Sequence, residues 1–193
     1  GSSLNRQLFE TYMALDNWHQ FRLRLFIEGI FVGIAGGLSI SLFRFLLNES
    51  EDLRIYLYYT CLIPALRRDD LLPLLSYALL LLAIGGALYA MCCYAPMAGG
   101  SGIPQVKGVI LGLMKMKWLR ILWVKILAGA IGIGAGLSLG REGPSIQIGA
   151  VAGQGLSRML GRTRMEERYL ITSGASAGLA AAFNAPLAGM MFA

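Results

Sequence analysis

Apolar and polar positions along the chain sort into blocks too long and too uniform for a water-soluble fold. Residues 4–24 set Phe9, Tyr12, Met13, Trp18 and Phe21 among polar neighbours, which predicts an amphipathic helix lying in a membrane interface. The apolar run over about 25–47 is long enough for a bilayer, which needs roughly 20 such residues. It carries Gly29, Gly33 and Gly37 at the four-residue spacing of a close-packing face. Residues 48–70 turn polar, with Glu49, Glu51 and Asp52 against Arg54, Arg67 and Arg68, and read as a loop outside the membrane. A second span covers about 71–94. From Ser101 to about Met114 the apolar stretch is too short to cross, which predicts a re-entrant half-helix. A full span over about 118–138, a short glycine-rich helix over about 144–160 and an apolar helix from Tyr169 to about Ala182 follow. Phe183-Asn184-Ala185-Pro186 breaks that last helix before a fresh start at Leu187.

Composition narrows the class. The 193 residues are 56% hydrophobic and 15% charged, against about 25% charged in soluble domains. Glycine, at 25 residues, is well above its ordinary share of about 7% and suits helices that pack backbone to backbone. The expected class is therefore an all-α, multi-pass integral membrane protein in contact with lipid. The net charge of +6 does not point to nucleic acid, because Lys107, Lys115, Lys117, Arg120 and Lys125 lie between hydrophobic segments. Basic loops beside spans mark the cytoplasmic side, which puts the N-terminus, the 107–125 cluster and the 158–168 cluster in the cytoplasm. Cys61, Cys92 and Cys93 have no metal-ligand spacing, so neither a metal site nor a disulfide is expected. Gly1-Ser2-Ser3 reads as an expression scar, with no signal peptide before the first span. The chain halts at Met191-Phe192-Ala193 inside an apolar segment, and the expectation is a piece of a longer transporter.

Two glycine-proline brackets carry the chemistry: Gly100-Ser101-Gly102-Ile103-Pro104 and Gly140-Arg141-Glu142-Gly143-Pro144. Each is a flexible break followed by a proline suited to a first helical turn. Irregular backbone at membrane depth survives only where it is buried in protein or lines a watery cavity. A helix N-terminus presents N–H groups without intrahelical partners and the positive end of the dipole, a ready anion site. The Ser101 hydroxyl adds a donor there, although serine is also a favoured plain helix cap. Glu142 stands before the second helix. Burial raises a carboxyl pKa while the helix end favours the charged form, so Glu142 can titrate and can itself occupy an anion site. The bland alternative is an ion pair with Arg141 that holds a turn. Glu28 and Arg44 near the ends of the first span are expected to snorkel, and Lys125 to reach the cytoplasmic face.

The two brackets, together with Ala182-Phe183-Asn184-Ala185-Pro186-Leu187-Ala188-Gly189, resemble the signature segments of the CLC family of chloride channels and chloride/proton antiporters, in the family's order and spacing over about residues 20–193. The resemblance implies the N-terminal inverted-repeat half of a CLC-type transporter, with tilted full spans and re-entrant half-helices. Residues 1–24 would be a cytoplasmic or interfacial helix, and 25–193 the first half of the anion-transport domain. It implies a homodimer with a pore in each subunit, chloride and protons as the transported ions, no other cofactor, no enzymatic activity, and a bacterial inner or plasma membrane. Ser101, Gly102, Ile103, Pro104, Gly143 and Pro144 would bind the anion, with the second N-terminus extending to Ser145. Glu142 would be the protonatable gate. Gly100, Gly140, Arg141, Phe183, Asn184 and Pro186 would support them. Serine at the Ser101 position goes with chloride preference in the family, and proline with nitrate.

Two other readings compete. Gly99-Gly100-Ser101-Gly102 matches the G-x-S-G of rhomboid-type intramembrane serine proteases, but that chemistry needs a histidine base and the sole histidine, His19, precedes every span. A half-chain could also be a structural fragment that transports nothing without its complement.

Overall fold

The computed structural model describes residues 2–68, 70–184, 189 and 191, with side chains from Leu23 onward. Helix follows helix: α1 (Ser2–Leu57), a π-helical turn (Tyr58–Leu62), α2 (Ile63–Arg68), α3 (Leu71–Tyr94), a 3-10 turn (Pro96–Ala98), α4 (Ile103–Ile110), α5 (Trp118–Gly134), α6 (Glu142–Met159) and α7 (Arg164–Phe183). The class is all-α, as the apolar blocks predict. Leu23–Arg68 and Leu71–Tyr94 are long and apolar enough to cross a membrane.

The expected loop over 48–70 is helical instead. No Gly or Pro interrupts residues 48–63, so α1 continues without a break from its N-terminal block to Leu57. The π turn then widens the helix just before Pro64, which lacks the N–H that an ordinary turn would use. The polar residues of this extension are tertiary links. Arg54 Nε donates to the Gly134 carbonyl at 2.9 Å, and Glu51 pairs with Arg141 at 2.7 Å.

The buried stripe of α1 is Glu28, Val32, Gly36, Ile40, Phe43 and Leu47. It is offset by one position from the glycine stripe expected to pack. A Cβ on Gly29, Gly33 or Gly37 would meet nothing within 4 Å, and Gly29 and Gly33 line a groove whose far wall is Ser173, Ser176, Ala177 and Ala180 of α7. Close packing occurs between α6 and α7 instead. A Cβ on Gly174 would lie 2.9 Å from the Gly149 carbonyl carbon, and one on Gly178 would lie 2.9 Å from the Ser145 carbonyl carbon. The two backbones touch where side chains would otherwise separate them. Two apolar clusters flank this pair. One joins Val106, Val109, Ile121, Val124, Val151 and Ile171, and the other joins Ile40, Phe43, Leu47, Ile126, Ile133 and Ile148.

Glu28 does not snorkel. It is 5% exposed and pairs with Arg162 and with Arg24, the latter at 3.6 Å, while Arg24 also reaches Glu166. These ions tie the start of α1 to the α6–α7 turn. Thr163 caps α7 in a reciprocal capping box with Glu166. Ahead of the apolar run at Tyr169, the Thr163 backbone N–H, aided by the Thr163 hydroxyl and Arg24, holds the Glu166 carboxyl below its ordinary value.

The remaining boundaries shift by a turn or less at most ends, and at α7 the Thr163–Glu166 capping box sets the start ahead of the apolar run. The half-helix α4 is shorter than 101–114, α5 stops at Gly134, and α7 starts at Arg164, ahead of its apolar run. Leu187 and Pro186 lie outside the described residues.

The packing makes two glycines behave oppositely. Gly174→Ala should destabilise the detergent-solubilised chain by about 1–3 kcal/mol, the range for overpacking a tight contact. Gly33→Ala should be neutral or stabilising by up to about 1 kcal/mol through helix propensity. Thermal unfolding of the two variants checks this, and equal effects would contradict the α6–α7 contact.

Candidate functional site

Both brackets open helices. Gly102 is the N-cap of α4 at φ 86°, a left-handed backbone that glycine adopts without a Cβ penalty. Pro104 sits in the first turn, and the Val106 N–H makes the first bond of the helix, to the Gly102 carbonyl at 3.0 Å. At α6 the corresponding first bond runs from Ser145 N–H to the Arg141 carbonyl at 3.2 Å. Ser145 therefore spends the N–H expected to face an anion, and its hydroxyl also donates to Arg141, at 2.8 Å. Among the described residues, the N–H groups of Ile103, Gln105, Glu142 and Gly143 have no such backbone acceptor.

The two brackets meet. A Cβ on Gly143 would lie 3.0 Å from both Cα and Cβ of Ser101, and nearer still to its carbonyl oxygen. Only glycine permits this approach, which sets the N-terminus of α6 against the residue that precedes α4. The N-cap residue of α4 is Gly102, so Ser101 stands one position before the cap rather than serving as the plain cap itself. Ser101, Ile103, Pro104 and Glu142 are all exposed on the open side of this contact.

Behind the first bracket, four successive carbonyls are each held by a side-chain donor. Gln147 Nε2 donates to Met97 O at 2.7 Å, Lys125 Nζ to Ala98 O at 2.9 Å and Gly100 O at 2.6 Å, and Gln105 Nε2 to Gly99 O at 3.1 Å. Lys125 is 4% exposed and does not reach the cytoplasmic face. Its ammonium faces the carbonyl side of the bracket because those oxygens offer partners that hydrocarbon does not. Lys125 and Gln147 brace the first bracket, a part that the sequence reading gave to neither. A lysine eight residues inside an apolar helix was the available signal for the first, and nothing marks the second.

Arg141 pairs with Glu51 rather than with its neighbour Glu142, so the turn-holding pair is not formed. The Glu142 carboxylate folds back over Gly140, where a Cβ would lie 2.5 Å from its Oε2. In the third motif Asn184 ends α7 at φ 51° and Phe183 is exposed, whereas Pro186 lies outside the described residues. Arg44, expected to snorkel, instead serves this helix end. Its guanidinium donates to Ala181 O at 2.6 Å and Asn184 Oδ1 at 3.3 Å.

Comparison with known proteins follows the same segments. A family model described as voltage gated chloride channel matches residues 79–193. An H(+)/Cl(-) exchange transporter ClcA from Citrobacter koseri is 44% identical over 137 residues, covering 66% of this chain and 29% of that protein. One of the same name from Vibrio cholerae serotype O1 is 46% identical over 100 residues, covering 51% of this chain and 21% of that protein. A crystal structure of a slow cyanobacterial Cl-/H+ antiporter matches with a TM-score of 0.73 at 37% identity, over 86% of this chain and 38% of that one. The chain thus spans less than a third of the length of these curated relatives. With the matched model covering more than half of its residues and both brackets inside the match, this chain belongs to the voltage gated chloride channel family.

Proposed function

We propose that this chain supplies one side of a transmembrane chloride pathway, with Glu142 as its protonatable gate, in a protein that exchanges chloride for protons. The observation that carries this reading is the contact of Gly143 with Ser101, which brings two helix N-termini to one place with unpaired N–H groups and a hydroxyl beside them. Such ends favour an anion through both hydrogen bonds and dipoles. The relatives named as exchange transporters support antiport.

In this mechanism the anion rests against the Ile103 and Gly143 ends with the Ser101 hydroxyl donating to it. An ionised Glu142 competes for the same positive potential and blocks the path. Taking up a proton neutralises the carboxylate, which releases the site to chloride, so each proton passage is coupled to anion movement. The remainder of a longer protein completes the pore, and two such subunits form the working dimer in a bacterial membrane with the N-terminus in the cytoplasm. No observation favours the serine-protease alternative, because the sole histidine of the sequence, His19, lies in the N-terminal part of α1.

In the full-length protein reconstituted in liposomes, Glu142→Gln should keep chloride flux while abolishing its pH dependence and its chloride-driven proton movement. A pH profile identical to the wild type would overturn the gate. Ser101→Pro removes one hydrogen bond to a charged partner, worth about 1.5–3 kcal/mol. The ratio of chloride to nitrate flux should therefore fall by roughly tenfold or more, and an unchanged ratio would remove Ser101 from the site. Lys125→Met should weaken chloride binding and lower the melting temperature together, since two carbonyls lose a charged donor at about 1–3 kcal/mol each. Lower stability with undiminished chloride affinity, read by calorimetry, would reduce Lys125 to a structural tie.

A further inference from the structure

The loop after α4 and the first turns of α5 gather side chains that the anion pathway does not use. Between the end of α3, the start of α5 and the end of α6 lies an open groove of about 510 Å³. Three cations line it, Lys117, Arg120 and Arg158, and no carboxylate does. Arg158 has a partner, Glu167 at 3.2 Å, but that carboxylate lines a neighbouring cavity rather than the groove.

The walls are aromatic and held in place. The indole of Trp118 lies on Gly155 of α6, where a Cβ would stand 2.5 Å from the nearest ring atom. The Arg120 guanidinium stacks over Tyr94 at 4.3 Å from the ring centroid, a cation–π contact. The groove runs out onto an apolar flank formed by Leu119, 52% exposed, and Trp123, 51% exposed. Beside it lies α3, none of whose residues is buried. A cationic mouth, an aromatic collar and an exposed apolar flank match the parts of an amphiphile in order. Tryptophan and tyrosine favour the headgroup level of a bilayer, and basic pockets between membrane helices take anionic headgroups. A free phosphate would use the cations and leave the apolar flank without a role.

We propose that this groove is a binding site for an anionic phospholipid. Its phosphate sits among Lys117, Arg120 and Arg158, its glycerol region lies against Trp118, and an acyl chain runs along Leu119 and Trp123. The lipid thereby bridges α3, α5 and the end of α6 opposite to Glu142.

The test offers phosphatidylglycerol or phosphatidylcholine to the delipidated full-length protein in detergent and counts retained lipid by native mass spectrometry. Each cation near a membrane surface changes partition by about fivefold. Phosphatidylglycerol should therefore be retained at least about tenfold over phosphatidylcholine. The double substitution Lys117→Gln with Arg120→Gln should weaken its retention about twenty-fivefold, and the charge-conserving pair Lys117→Arg with Arg120→Lys should preserve it. Trp123→Ala, which leaves all three cations in place, should lower retention several-fold. Equal retention of the two lipids, or full retention in the glutamine pair, would overturn the proposal. Displacement of phosphatidylglycerol by millimolar inorganic phosphate would assign the groove to a free anion instead, and would equally overturn it.

Discussion

The contact between Gly143 and Ser101 is the constraint on which the rest of the arrangement depends. It forces the N-termini of α4 and α6 together, although the two carry positive partial charge of about half an elementary charge each. A few ångströms apart, at an effective dielectric of about 20, two such ends repel by roughly 1 kcal/mol. Packing elsewhere must hold them there. On one side α6 is fixed by its backbone contact with α7 at Gly149, Gly174 and Gly178. On the other, the segment before α4 is fixed by Lys125, Gln105 and Gln147 through its carbonyls. In the proposed mechanism, this unfavourable meeting of two positive ends is what gives an anion reason to bind there.

Three cations that donate to backbone carbonyls follow a complementary rule. Arg44 donates to carbonyls at the end of α7, Arg54 to the last carbonyl of α5, and Lys125 to carbonyls of the first bracket. All three meet the negative ends of backbone dipoles, where a cation is stabilised. Protein cations thus serve carbonyl ends, whereas the N–H groups of Ile103 and Gly143 have no backbone acceptor among the described residues.

Much of this was legible in the sequence, for definable reasons. Gly102, Pro104, Gly143 and Pro144 mark helix starts because glycine and proline act on the backbone locally, within a few residues. The helices α3 and α6 were legible because apolar length and glycine content are also local. What failed depended on partners distant in sequence. The Gly29, Gly33 and Gly37 spacing states that a close approach is possible, not that the helix across the groove makes it. Glu28, Arg44 and Lys125 were read as reaching water because their partners carry little or no signature. Two of the three use backbone carbonyls, and the third uses Arg162 across the bundle. Residues 48–68 were misread through polarity, whereas the absence of helix breakers before Pro64 was the better guide.

Glu142 shows how one missing methyl group can bear on a gate. Its carboxylate occupies the space over Gly140 that a side chain would fill, since a Cβ there would stand 2.5 Å from Oε2. Gly143, on its other side, has no Cβ because Ser101 occupies that position. The glutamate is therefore flanked by two glycines that do different work. Gly143 fixes where the helix begins, and Gly140 leaves room for the carboxylate to lie away from that beginning. A carboxylate with no such room would be held against the N–H groups of α6, where its charge is most favoured. The freedom of Glu142 to leave its most favourable electrostatic position, which the proposed gate requires, is in this sense a property of Gly140.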